Sequence, residues 1–269
     1  PKVTIGMPVY NGEKFLQKRL DSLLLQTFTD FELIISDDAS TDFTRTICEE
    51  CARKDKRIRY IRQEKNMGHI WNFNFVLMAA KSKYFTWAAQ DDVTLPKYLE
   101  KNIHILESDK NIVGSISKMT IFEMPTDDLQ GNKIDIIFKN FIKKLSSMVK
   151  SLDICPINGS YAKKVRIILK KTSGKLIYAV FRTSELQKSY PKENIPGSEW
   201  ILFLNLLKYG NIHVIDEILM HRYDYGFSNK GIIKNVNLYD SNFLMMVFPF
   251  FPFTIWCMKN LGPKIFFKN

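Results

Sequence analysis

Two glycine-rich signatures are missing from this chain of 269 residues. It holds neither G-x-G-x-x-G nor G-x-x-x-x-G-K-[ST], which disfavours a dinucleotide fold or a P-loop enzyme. Any phosphate must then be held chiefly by a metal ion rather than by a backbone nest. Cysteine is scarce, with Cys48, Cys51, Cys155 and Cys257 only. Cys48 and Cys51 fall one helical turn apart, and no second pair accompanies them. They read as two reduced cysteines on a helix, which fits a reducing compartment. No zinc finger, basic zipper or RNA-binding signature accompanies the net charge of +11, so no nucleic-acid partner is expected. That charge favours smaller anions or an anionic membrane face. The opening "PKVTIGMPVY" reads as a strand, not a signal peptide, so the expected location is cytoplasmic and the sequon at Asn158 falls to chance. A bilayer-spanning run of about 20 apolar residues is also missing. The nearest, "FLMMVFPFFPFTIWCM", is shorter and is broken by Pro249 and Pro252.

What is present is a core-forming pattern. Apolar residues make up 45% of the chain. The run "KVTIGMPVY" reads as a strand ending in a Pro and a turn. "EKFLQKRLDSLLLQ" has apolar Phe15, Leu16, Leu20, Leu23 and Leu24 at helical spacing. "FELIISDDAS" is a second strand, and "STDFTRTICEECARKD" a second helix with Ser40 or Thr41 available as its cap. "IRYIRQ", "HIWNFNFVLMAAKS" and "YFTWAAQDD" continue the alternation as strand, helix and strand. Strands alternating with helices predict an α/β fold, a mostly parallel sheet with helices on both faces. Ligands of such sheets bind beyond the carboxyl ends of the strands.

Those ends carry Pro8, Tyr10 and Asn11, then Asp37 and Asp38, then Asp91 and Asp92. A solvated turn accounts for any one Asp-Asp pair, because aspartate favours turns and caps. Two pairs at the ends of two apolar strands point to one cleft. One carboxylate there suits a base N–H or ribose hydroxyls. Another suits a hard divalent ion bridging two phosphates.

The stretch "MPVYNGEKFLQKRLDSLLLQTFTDFELIISDDASTD" resembles the opening of glycosyltransferase family 2. "NMGHIWNFNFVLMAAKSKYFTWAAQDD" resembles the segment leading to that family's D-x-D-type metal site. "GSEWILFLNLLKYGNIHVIDEILMHRYDYGFS" resembles the later segment with its catalytic base. The resemblance covers residues 1–228. It implies a GT-A fold with a Rossmann-like central sheet, a nucleotide-sugar donor such as a UDP-sugar, Mn²⁺ or Mg²⁺, and an inverting transfer to a glycan or lipid-linked saccharide acceptor. Carried over, Pro8, Val9 and Tyr10 line the nucleobase and ribose pocket, and Asp38 receives the base N–H with Asp37 close by. Asn66, Gly68 and Asn74 shape the sugar-nucleotide site. Asp91 and Asp92 hold ribose and metal, Glu199 falls at the base position, and Arg222 matches an arginine after the penultimate strand. Three positions depart from the pattern. The first metal-site acid is Ala89, the base is Glu rather than Asp, and the late His is Asp224, with His221 nearby.

The implied organisation is a glycosyltransferase domain over 1–228, with a nucleotide-binding half (1–100) and an acceptor-side half (101–228). An apolar and basic extension follows over 229–269. Within the middle part, "DDLQGNKID" reads as a loop, "FIKKLSSMVKSL" as a helix with a basic face, and "KLIYAVFRTSELQ" as a strand followed by Arg182. Glu199 is equally an acid favoured at a helix N-terminus by the dipole. Trp200 can stack on a sugar, although a lone aromatic is more often core, as Trp71 and Trp87 are expected to be. The tail either packs on the domain or lies in the interface of the cytoplasmic membrane face, with its lysines on anionic headgroups. Two other functions fit the strand-end acids: a nucleotidyltransferase, which normally shows a glycine-rich loop, and a degenerate GT-A scaffold, to which Ala89 points.

Overall fold

The alternation expected for the first hundred residues forms: β1 (Val3–Val9), α1 (Glu13–Leu24), β2 (Phe31–Asp37), α2 (Thr44–Lys54), β3 (Ile58–Arg62), α3 (His69–Ala79) and β4 (Tyr84–Trp87). There follow β5 (Val93–Thr94), α4 (Tyr98–Ser108), β6 (Ile112–Phe122), α5 (Tyr161–Lys171) and a 3₁₀ turn (Gly174–Tyr178). The last elements are β7 (Val180–Arg182), α6 (Thr183–Ser189), α7 (Ser198–Leu206), β8 (Asn211–Tyr223) and α8 (Phe251–Leu261). This computed structural model describes residues 1–122, 154–171, 174–192, 195–223, 250–262 and 265. The expected loop "DDLQGNKID", the expected helix "FIKKLSSMVKSL" and Asp224 lie outside them.

One eight-stranded sheet runs in the order β3-β2-β1-β4-β7-β6-β8-β5. β3, β2, β1 and β4 are parallel neighbours, as are β6 and β8. Only β7 and β5 run against the rest. Side chains alternate between faces along a strand, and β2 shows it. Ile34 joins a core with Val76 and Leu77 of α3, whereas Leu33 and Ile35 join a second core with Leu16, Leu20 and Leu23 of α1. Helices therefore cover both faces, and the carboxyl edge of the parallel strands is left for the loops.

Four local expectations need correction. The fourth strand stops at Trp87, and the acids stand in a turn between β4 and β5. Helix α2 begins at Thr44, and Asp42 rather than Ser40 or Thr41 accepts the Thr44 N–H, at 3.0 Å. Ser40 is already engaged by the Asn11 N–H at 3.0 Å. Trp71 stacks on Phe75 on the outer side of α3 and is exposed, while Trp87 is core as expected. "KLIYAVFRTSELQ" forms a 3₁₀ turn, the short β7 and then α6; Arg182 caps α4, its Nη2 donating to Leu106 O at 2.5 Å, while its Nε donates to Ile112 O of β6 at 2.8 Å.

In the tail, Phe253, Trp256, Cys257 and Leu261 are buried in the core that contains α3 and α7. Phe251 and Met258 face outward. Among the described residues no helix is long and apolar enough to cross a membrane. Because Trp256 is buried against this core, Trp256→Ala should lower stability by about 3–5 kcal/mol. Urea unfolding of the full chain measures it, and an unchanged midpoint would place α8 outside the cooperative unit.

Candidate active site

The loops after β1 and β2 are stitched together. Asn11 takes a left-handed φ of 48°, and its Oδ1 accepts from the Thr41 N–H at 2.9 Å. The Gly12 N–H donates to Thr44 Oγ1 at 2.7 Å. Asp37 is fully buried, and both its oxygens serve the fold. Oδ1 accepts from the Ser40 N–H at 2.8 Å. Oδ2 accepts from the Tyr60 hydroxyl at 2.7 Å and from Arg62 at 3.1 Å. Asp38 receives the Met67 N–H at 2.7 Å and the Gly68 N–H at 2.9 Å, one on each oxygen. It thereby sets the entry to α3, where Gly68 has φ 90°. Asn66 Oδ1 accepts from the same Gly68 N–H at 3.0 Å. Pro8 and Val9 at the end of β1 are buried, so of Pro8, Val9 and Tyr10 only Tyr10, 46% exposed, offers a surface. Asn74 lies on α3 with its Oδ1 enclosed and without a hydrogen-bond partner among the described residues.

The second acid pair rests on an arginine. Arg19 of α1 is 2% exposed. Its Nε donates to Ala89 O at 3.0 Å and its Nη1 to Thr94 Oγ1 at 3.2 Å, so it grips both ends of the acid turn. Burial opposes its charge, and Asp92 is the carboxylate that does most to restore it. Asp92 is 1% exposed; burial does most to keep the Tyr178 hydroxyl protonated, and the Asp92 carboxylate lies near enough to help. Asp91 stands further out, half-buried. Burial pushes its carboxyl above the usual range, and Arg222 and Arg19 pull it partly back. The Gln90 side chain joins this turn to the first loops, its Oε1 accepting from the Tyr10 N–H at 3.1 Å. A continuous set of contacts thus runs from Asp37 through Ser40, Asn11 and Tyr10 to Gln90 and Asp91.

Strand β8 closes the other side. β5 pairs with β8 at Val93 and His221, which brings Arg222 to the acid turn. The Arg222 guanidinium sits 5.6 Å above the Tyr178 ring. His221 Nδ1 is 2.7 Å from Thr120 Oγ1, so it bonds to β6. Glu199 stands in the first turn of α7. That helix leads through a short turn into the start of β8, whose Asn211 N–H donates to Asn111 O at 2.7 Å. α7 therefore ends at the amino edge of the sheet, and its N-terminus is directed to the carboxyl edge. Glu199 is exposed, yet enough protein lies around its carboxyl that desolvation pushes it up. A carboxylate in a cleft wall has both properties. Trp200 lies flat on Phe250 at 5.8 Å, and one face of its ring is taken up by that contact.

Of the expected residues, the structure brings Tyr10, Asp37, Asp38, Asn66, Gly68, Asp91, Asp92, His221 and Arg222 to one edge of the sheet. It was silent in the sequence that Arg19, Tyr178 and Gln90 belong with them. The available signal for Arg19 is its spacing with Leu16, Leu20 and Leu23, which puts a charge on the apolar stripe of α1. Among the described residues no three His, Cys, Asp or Glu side chains converge as a self-sufficient metal centre. The donors fit a hard ion that takes one or two carboxylates and completes its shell with phosphate and water.

The sequence profile of "Glycosyl transferase family 2" matches residues 4–166. An uncharacterized glycosyltransferase of Haemophilus influenzae is 33% identical over 121 residues, 45% of this chain and 38% of that protein. The chain thus matches well under two thirds of this relative's length. S. aureus TarS 1-349 in complex with UDP-GlcNAc superposes with a TM-score of 0.62 at 18% identity, over 98% of this chain and 77% of that one. The mannosyltransferase PcManGT from Pyrobaculum calidifontis, in complex with GDP-Man and Mn2+, gives 0.55 at 14% identity, over 82% and 56%. At these identities the structures share the GT-A-type fold.

If Arg19 neutralises Asp92, removing the cation alone leaves a buried carboxylate without its main counter-charge. Arg19→Met should cost about 3–5 kcal/mol. Adding Asp92→Asn should recover part of that loss, a coupling of about 1–3 kcal/mol in a double-mutant cycle. Strictly additive losses would show that the two groups do not act as a pair.

Proposed function

The chain belongs to glycosyl transferase family 2, and on that premise we propose that it transfers a sugar, with inversion, from a nucleoside-diphosphate donor to a hydroxyl of a glycan or lipid-linked acceptor. The observation that carries this is the cleft at the carboxyl edge: Gln90, next to Asp91, accepts from the Tyr10 N–H, Asp38 accepts from the Met67 and Gly68 N–H groups at the same edge, and the N-terminus of α7 is directed to it. Superposable proteins hold UDP-GlcNAc, or GDP-Man with Mn2+, which supports a nucleotide sugar and makes a UDP-sugar the first donor to test.

In this reading Tyr10 lies against the nucleobase. The Asp38 carboxylate accepts the base N–H on a lone pair left beside the Met67 and Gly68 bonds. Asp91, the outer acid, faces the ribose and a divalent ion, Mn²⁺ or Mg²⁺. Asp92, enclosed between Arg19 and Tyr178, holds the turn. A bound divalent ion would supply charge neutralisation on the departing diphosphate. Arg222 stands beside Asp91 and adds positive charge on the same side. Glu199 takes the proton of the attacking hydroxyl, and the upward push on its carboxyl makes it a stronger base than an ordinary glutamate. The outward Phe251 and Met258 beside Lys259 support an acceptor or surface that includes lipid, at the cytoplasmic membrane face.

Two substitutions separate these roles. Asp91→Asn should abolish the gain in UDP affinity that Mn²⁺ gives, with thermal stability near that of the parent, whereas Asp92→Asn should mainly lower stability. Calorimetry with and without Mn²⁺, alongside melting curves, reads both; retained Mn²⁺ dependence in Asp91→Asn would remove that residue from the site.

Glu199→Gln should lower turnover by about 10²–10⁴-fold. UDP affinity should stay within about twofold, because a base acts in the transition state. The base works ionised, and its carboxyl is raised. The acid limb of the parent's turnover profile should therefore lie above the ordinary glutamate value of about 4.3. Normal turnover in Glu199→Gln would assign the proton to another group.

A further inference from the structure

We propose that Phe253 of α8 is a positioning residue for the transfer: its ring backs the left-handed turn at Gly197 and so fixes the direction in which Glu199 enters the cleft. The inference rests on the reading of Glu199 as the base. Gly197 precedes α7 with φ 93° and ψ 6°, a conformation that residues with a Cβ rarely adopt. A Cβ placed there would stand 3.1 Å from Phe253 Cγ and 3.2 Å from its Cβ. The ring therefore lies directly against the turn. Trp200 meets the same ring edge-on, at 5.3 Å and 73°. Glu199 thus lies between two chain positions, Gly197 and Trp200, that both bear on Phe253.

The first turn of α7 passes this restraint on. The Trp200 and Ile201 N–H groups donate to Gly197 O at 2.9 and 3.1 Å. Ahead of it, the Ile195 N–H donates to Ser198 Oγ and the Ser198 N–H to Ile195 O, both at 3.0 Å. The far end of α7 is anchored separately. The buried Lys164 ammonium of α5 donates to Leu207 O at 3.1 Å and to Gly210 O at 2.6 Å. Loosening the α8 contact should therefore act on the first turn while the rest of the helix stays in place. Protein around the Glu199 carboxyl pushes its titration up, so a looser first turn should let it fall. The matched family profile stops at residue 166, so this pairing of α7 with α8 lies beyond it.

The test compares Phe253→Ala and Phe253→Leu with the parent in the full chain, with Glu199→Gln as reference. Three quantities are followed: UDP affinity by calorimetry, turnover of UDP-GlcNAc against pH, and the Glu199 carboxyl titration by NMR on protein with ¹³C-labelled glutamate. The Glu199 resonance is the one lost in Glu199→Gln, and its titration does not depend on which sugar nucleotide the parent turns over. Phe253→Ala should lower turnover roughly 10- to 100-fold. It should leave UDP affinity within about twofold, and shift the carboxyl titration and the acid limb to lower pH. Phe253→Leu, which keeps an apolar wall, should show a smaller shift in the same direction. A loss of stability alone moves neither the titration nor the limb. A titration in Phe253→Ala equal to the parent's overturns the proposal, as does a parallel fall of turnover and UDP affinity. Should the alanine variant fail to fold, the leucine variant decides on the same readouts, and a parent-like titration in it overturns the proposal. Unchanged turnover in Glu199→Gln would sink the base reading instead, while the titration still reports whether Phe253 holds Glu199.

Discussion

Asp91 and Asp92 are adjacent, and water does little to screen the inner one. Two like charges about 4 Å apart repel by roughly 4 kcal/mol at an effective dielectric of 20, several times the value in water. The buried guanidinium of Arg19 offsets that repulsion, and it also fixes shape, because it bonds to Ala89 on one side of the turn and Thr94 on the other. Much of the local architecture follows. β4 has to stop at Trp87 so that the turn can reach the arginine. β5 has to start by Val93, and its pairing with β8 carries Arg222 to the outer acid. One charge on α1 thereby sets where the far edge of the sheet meets the cleft.

The two acid pairs differ in burial. Asp37, Asp38 and Asp92 are all enclosed, and only Asp91 is half-buried; Asp37 holds a loop through Ser40, Tyr60 and Arg62, and Asp92 lies with Arg19 and Tyr178. Asp38 is held by two main-chain N–H groups, so its direction is set before any ligand arrives, whereas Asp91 stays half-buried beside two cations. Groups already aimed lose little on binding, which is how a cleft made of loops attains the precision of one built on rigid elements.

Much of this was legible in the sequence, and the gaps have physical causes. Periodicity revealed the strands and helices because each buries one face, and the acids announced themselves by standing after apolar runs. Which acid points inward was not legible, because that depends on Tyr60 and Arg62 arriving from β3 and on Arg19 arriving from α1. An arginine in "LQKRLDS" reads as solvated surface unless its place on the Leu16–Leu20–Leu23 stripe is given weight. The tail was ambiguous for another reason: an apolar composition suits a core and a lipid interface equally. The spacing of Phe253, Trp256, Cys257 and Leu261 on one helical face was the discriminating signal, and the structure places that face in the core.

Ala89 departs from the family's acid pattern, and charge counting shows why the departure is tolerable. Asp91 and Asp92 face Arg19 and Arg222, so the acid turn is close to electrically balanced by protein groups alone. A third carboxylate at position 89 would add a charge beside a carbonyl that Arg19 already holds. A balanced turn has little attraction for a free divalent ion. A nucleoside diphosphate changes that, because it brings negative charge of its own and phosphate oxygens suited to a hard cation. On the proposed reading, the outer carboxylate of Asp91 need contribute only one further oxygen. The cleft then gains its affinity for metal from the donor, and a site without the first acid remains chemically sufficient.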